Sequence, residues 1–156
     1  MIIKNALLNG KIVNIVCENG KFTEITEKTV EGEGIDAKGR KVIPGLVETH
    51  SHGCIGIDTM DADFEKMCRF YAENGVTSWL PTTMTMDYDS LLKVCNAKTD
   101  FEGADIIGFH FEGPYISKKY KGAQNEAYIK NPSVEDFKMF KNVKLITIAP
   151  ESEDSM

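Results

Sequence analysis

Residues 42–54, VIPGLVETHSHGC, constrain the fold more than any other stretch of the chain, because a strand-like apolar run there ends in two histidines one residue apart. Side chains alternate faces along a strand, so His50 and His52 project to the same side at its carboxyl end. One cation could take both imidazoles. Pro44-Gly45 marks the entry to the run, and Gly53 and Gly56 loosen the backbone just after it.

From this run onward the sequence alternates strand with helix at a spacing suited to βα units. Asp61 or Asp63 is expected to cap a helix in which Phe64, Met67, Cys68 and Tyr71 recur at helical spacing, with Gly75 ending it after Asn74. A strand over 76–81 follows, then a loop of Thr82, Thr83, Met84 and Thr85. Asp87 or Asp89 starts a second helix carrying Leu91, Leu92 and Val94. Residues 105–111 read as a third strand, running on into Glu112 and closing at Gly113-Pro114. The loop after it, SKKYKGAQNEAYIKNP, is longer than a βα connection needs and is a candidate functional loop. Ser133 caps a helix to about Phe140, and residues 143–149 form a fourth strand.

The fold class is therefore α/β, with residues 42–156 expected to form the first four βα strands of a partial (β/α)8 TIM-like barrel, which in full needs ~250 residues. Residues 1–41 form a separate small β element. Its clearest signal is Asn19-Gly20 between the strand-like runs 11–17 and 21–25, the strongest short hairpin signal. Two strands and a loop are not expected to build a core alone. A half-barrel leaves strand edges and an apolar interior uncovered, so a partner chain or a larger protein is expected, with a homo-oligomeric dimer as one solution.

Composition removes several classes of function. There are 18 basic and 24 acidic residues, and no basic stretch long enough to track a phosphate backbone, so nucleic acid is excluded as a partner. No stretch approaches the ~20 apolar residues of a membrane helix, and the expected location is cytoplasmic. Cys17, Cys54, Cys68 and Cys95 form no CxxC pair, which fits reduced thiols. Cys54 lies near enough to the histidines to be a conceivable ligand, although a buried neutral thiol is the plainer reading.

His110 and Glu112 repeat the i, i+2 arrangement of His50 and His52 on the third strand. If both strands face inward, two histidines and a carboxylate meet at one divalent metal ion, with zinc or iron expected. A carboxylate inside an apolar strand is costly unless paired or metal-bound; the plain alternatives for Glu112 are Lys121 or a backbone amide. His110 is expected to stand behind the ligands or to face substrate. Lys118, Lys119 and Lys121 form a local basic cluster that could attract an anion or simply be solvated.

These residues resemble a known family. PGLVETHSHG is similar to the PG-x-[IV]-[DE]-x-H-x-H segment of metal-dependent amidohydrolases. GVTSWLPTTMT and GFHFEGPYISKKYKGAQNE resemble the N-acetylglucosamine-6-phosphate deacetylase family in particular, with this chain as its amino-terminal portion. The resemblance implies a small β-sandwich built from both chain ends, a (β/α)8 barrel, and hydrolysis of the acetamide of an amino-sugar phosphate, N-acetylglucosamine 6-phosphate, to glucosamine 6-phosphate and acetate. It implies that Glu112 binds metal, that His50 and His52 hold an additional ion in members with two, and that Ala123 contacts the sugar, with Gln124 its neighbour. It also implies two further histidine ligands, a general acid-base aspartate and a phosphate-binding arginine beyond the fourth strand. None of these is present, so no catalytic acid-base residue is assigned and the chain alone is expected to be inactive or nearly so. The competing readings are another amidohydrolase, a deaminase or cyclic amidase, and a non-catalytic half-barrel module that dimerises.

Overall fold

The structure, a computed structural model, describes residues 1–151. The chain divides into two compact units at Pro44-Gly45.

The first unit is one four-stranded sheet of β1 (Ile2–Leu8), β2 (Lys11–Glu18), β3 (Lys21–Thr26) and β4 (Ile35–Asp36), in the order β3-β2-β1-β4. The hairpin at Asn19-Gly20 forms as expected, both residues having positive φ, 49° and 73°. Asn9-Gly10 makes a second such turn, at 49° and 82°, joining β1 to β2 antiparallel. This strand escaped the sequence reading because Lys4 and Asn5 interrupt its apolar alternation. The reason is a register shift between Ile3 and Ala6, where Asn5 takes φ +54°, so the inward-facing period slips at a bulge. Ala6, Val13 and Ile15 are buried, with Ile3, Leu8, Cys17, Ala37 and Val42 packed around them. With four strands where the sequence reading found two, the unit has a small core of its own. A second sandwich layer is not seen among its described residues.

The second unit carries β5 (Leu46–Ser51), the short antiparallel ribbon β6 (Gly53–Cys54) and β7 (Ile57–Asp58), α1 (Glu65–Glu73), β8 (Val76–Pro81), α2 (Tyr88–Cys95), β9 (Asp105–Ile106), β10 (Phe109–Glu112), α3 (Val134–Phe137) and β11 (Val143–Thr147). β5, β8 and β9 pair in parallel in that order, β10 pairs β11 in parallel, and a parallel bridge from Thr82 to His110 links the end of β8 to β10. Phe64, Met67, Trp79, Leu91, Val94, Phe109 and Phe111 are fully buried between these strands and the helices.

Four local expectations need correction. α1 has no side-chain cap: Asp61 instead closes a capping box with Asp58 on the 3-10 turn Thr59–Asp61, one turn earlier. The expected third strand is two strands, because the backbone at Gly108 (φ +145°) turns where Asn142 and Lys144 press against it; a Cβ there would lie 2.6 Å from the Asn142 oxygen. α3 stops at Phe137, although Phe140 is still buried. β11 ends at Thr147 rather than at Ala149. Asp87 caps α2, its carboxylate accepting from the Ser90 amide at 2.9 Å.

Candidate metal centre

β10 is buried on both faces, as strands of a parallel sheet covered by helices are. Phe109 and Phe111 point to one side, where Phe111 meets Phe137 and Phe140 edge to face. His110 and Glu112 therefore share the other side. His50 is the penultimate residue of β5, and His52 lies just past its end. The strand ends are tied together by the Ser51 carbonyl, which accepts from Thr82 N at 2.9 Å, and by the His110 carbonyl, which accepts from Thr83 N at 2.9 Å.

The result is a close triangle of ligand-type atoms. His50 Nε2 and His52 Nε2 are 3.2 Å apart, and Glu112 Oε2 lies 2.6 Å from the first and 3.3 Å from the second. Among the described residues this is the one group of three metal-ligating side chains so arranged. Two ligands each ~2.0–2.1 Å from a tetrahedral ion are roughly 3.3–3.4 Å apart, close to two edges of the triangle. Glu112 Oε2 is buried and makes no hydrogen bond despite its two neighbours. For His52 the reason is its ring orientation: a carbonyl can only accept, so Nδ1, 3.2 Å from Thr82 O, carries the hydrogen, whereas His50 Nε2 stands at ion-pair distance from the same oxygen. The lone pair on His52 Nε2 then faces the carboxylate oxygen, a juxtaposition that a cation between them resolves. An imidazole oriented by a backbone carbonyl on its far nitrogen is the usual setting of a metal ligand.

His110 is not part of the triangle. It is 3% exposed, its Nδ1 lies 2.9 Å from Thr49 O and its Nε2 2.9 Å from Thr147 Oγ1, so both ring nitrogens are occupied by the protein. Burial holds its pKa below the usual histidine value, opposed by the hydrogen bond to Thr49. Its ring stands edge-on to His50, with centroids 4.9 Å apart, and so supports that ligand from behind.

The long loop brings in Gln124, which is 6% exposed, whereas Ala123 points to solvent. Gln124 Nε2 donates to Glu112 Oε1 at 3.2 Å. It takes the place that Lys121 was considered for; Lys121 Nζ instead donates to the Gln124 backbone carbonyl at 3.3 Å. A cleft of about 260 Å³ opens beside Glu112, lined by Ser117, Tyr120, Lys121 and Thr147 among others. Cys54 is half-buried, outside the triangle, and burial raises its thiol pKa. Sequence reading passed over Thr82. Its hydroxyl accepts from Ser51 N at 2.9 Å and its carbonyl holds His52, a role that a threonine at a strand end does not advertise.

The α/β fold, with two imidazoles and a carboxylate drawn together at the carboxyl ends of parallel strands, is similar to that of amidohydrolases. The solved structure of a D-hydantoinase is 26% identical at a TM-score of 0.52, over 75% of this chain and 28% of its own. A stronger likeness is to N-acetylglucosamine-6-phosphate deacetylases. The curated enzyme of that name from Bacillus subtilis is 32% identical over 97% of this chain and 42% of its own length. The crystal structure of the one from Thermotoga maritima is 31% identical at a TM-score of 0.79, over 99% of this chain and 44% of that one. The chain thus spans about two fifths of the length of the curated relatives it matches. No family model matches it.

Proposed function

We propose that this chain is the amino-terminal part of a metal-dependent N-acetylglucosamine-6-phosphate deacetylase, cytoplasmic in location, whose complete form hydrolyses the acetamide of the amino-sugar phosphate. The observation that carries the reading is the buried, unbonded Glu112 Oε2 facing two imidazole nitrogens. His50, His52 and Glu112 would hold one divalent ion, zinc or iron, or contribute to a pair. Such an ion, when bound, polarises a carbonyl and lowers the pKa of bound water to around 7.

The chain's own groups supply the frame. Thr82 orients His52, His110 braces His50, and Gln124 holds the far oxygen of Glu112. The Ala123–Gln124 turn and the cleft beside Glu112 would meet the sugar, and Lys121 at the cleft wall suits its anionic end. The parallel succession β5, β8, β9 and β10, β11 is read as the first four βα units of a (β/α)8 barrel, preceded by the small β domain. The resemblance assigns the group that protonates the amine leaving group to the remainder of the complete protein, and on that reading the chain alone should lack the ~100- to 10,000-fold that general acid-base help provides.

Metal analysis of the purified chain tests the centre. Stoichiometric zinc or iron that is lost on replacing Glu112 by Gln supports it; a Glu112→Gln chain that keeps its metal overturns it. The likeness to D-hydantoinase makes a cyclic amidase the second reading. A panel of acetylated amino-sugar phosphates against cyclic amides, run on the complete protein, separates the two.

A further inference from the structure

We infer that Gln124 is a positioning residue for the metal: its carboxamide ties down one oxygen of Glu112 so that the other alone is offered to the ion shared with His50 and His52. The inference rests on the metal reading above and gives the Gln124 side chain a role in addition to the meeting of its turn with the sugar.

The orientation of the Gln124 amide is decided by its surroundings. The Thr85 backbone N–H lies 2.7 Å from one amide atom and can only donate, so that atom is the oxygen. The amide nitrogen must then face Glu112 Oε1 at 3.2 Å, with Met84 Sδ at 3.7 Å as its other contact. The side chain is almost wholly enclosed, and its own backbone is pinned at both ends, Gln124 N donating to Lys121 O at 3.0 Å and Gln124 O accepting from Lys121 Nζ at 3.3 Å. Gln124 is therefore a rigid bridge from the Thr82–Thr85 segment to the carboxylate.

The consequence falls on Glu112. With Oε1 spent on a neutral donor, Oε2 is left without a hydrogen bond and is the oxygen that faces both Nε2 atoms. A carboxylate freed of that donor could turn and present both oxygens to the ion, changing coordination number and geometry. Groups that orient a ligand in this way typically contribute ~10- to 100-fold in metal affinity.

The test is cobalt(II) binding to the whole chain by competition with a chromophoric chelator, together with the visible absorption of the bound cobalt. Gln124→Met keeps the length of the side chain and removes the amide. The expected result is a ~10- to 100-fold weaker affinity and an altered cobalt spectrum in a metal-free chain that still folds, its thermal midpoint lowered by the loss of the Thr85 hydrogen bond. Where Gln124→Met fails to fold, Gln124→Asn serves, since one methylene fewer withdraws the donor without emptying the site, and the same changes are expected. Unchanged affinity and spectrum in the folded variant, with binding still lost in Glu112→Gln, would overturn the role of Gln124 alone. A parent chain that takes no cobalt, or Glu112→Gln binding as well as the parent, overturns the metal centre and this role with it.

Discussion

Single residues set the site's geometry. Gly53, directly after His52, has φ +155°, and a Cβ there would lie 2.2 Å from the Ile57 carbonyl oxygen. That close approach lets β6 fold back onto β7 at once, so that Thr59 N reaches His52 O at 2.8 Å and fixes the backbone beneath the imidazole. Gly53→Ala is therefore expected to cost more than ~1 kcal/mol of stability, since alanine neither tolerates the conformation nor has the space. Urea unfolding measures it, and metal affinity should fall in parallel. An alanine variant as stable as the parent would show that the ribbon does not need glycine.

Elements hold these residues through their ends. α2 begins at Asp87, whose carboxylate is kept below the usual carboxylate range chiefly by the hydrogen bond from the Ser90 amide. A carboxyl whose folded pKa is depressed contributes stability that is present above its unfolded value, ~4, and lost as pH falls through the folded one. Asp87→Asn keeps an acceptor at the cap but cannot titrate. Thermal unfolding followed from pH 6 down to pH 2 should show a smaller loss for the variant; an identical profile would place the acid sensitivity elsewhere. β10 makes a related point. The break at Gly108 hands the sheet from β8 to β11, and Glu112 reaches the site because the strand restarts after that glycine.

At the scale of the whole molecule, the face that carries the site is partly uncovered. Leu46 begins β5, the strand that carries His50, and Leu145 pairs with His110 and shares the face of Thr147, yet the two are 54% and 41% exposed. Among the described residues β5 pairs only with β8, and β11 only with β10. Exposed apolar side chains beside unpaired strand edges favour association. Light scattering should therefore show an apparent mass that rises with concentration, and Leu145→Lys should lower it. A chain that stays monodisperse and monomeric at high concentration would mean that this face is stable in water.

The βα alternation, the Asn19-Gly20 turn, the strand over 76–81 and the pairing of His50 with His52 were legible in the sequence. Each is a local matter of period, cap or turn chemistry within a few residues. The strand β1 was hidden because a bulge broke its period, and the split of the third strand because its cause, the approach of Asn142 and Lys144 to Gly108, is some 35 residues away in the chain. His110 and Glu112 looked equivalent by spacing. The expectation that His110 stands behind the ligands or faces substrate finds its physical reason only in the tertiary structure, which surrounds it with Thr49 and Thr147 while leaving an oxygen of Glu112 unbonded before two imidazoles. Side-chain period says which face a residue occupies, but hydrogen-bond satisfaction depends on what distant segments bring to that face, and Gln124 arrives there from a loop with no period to read.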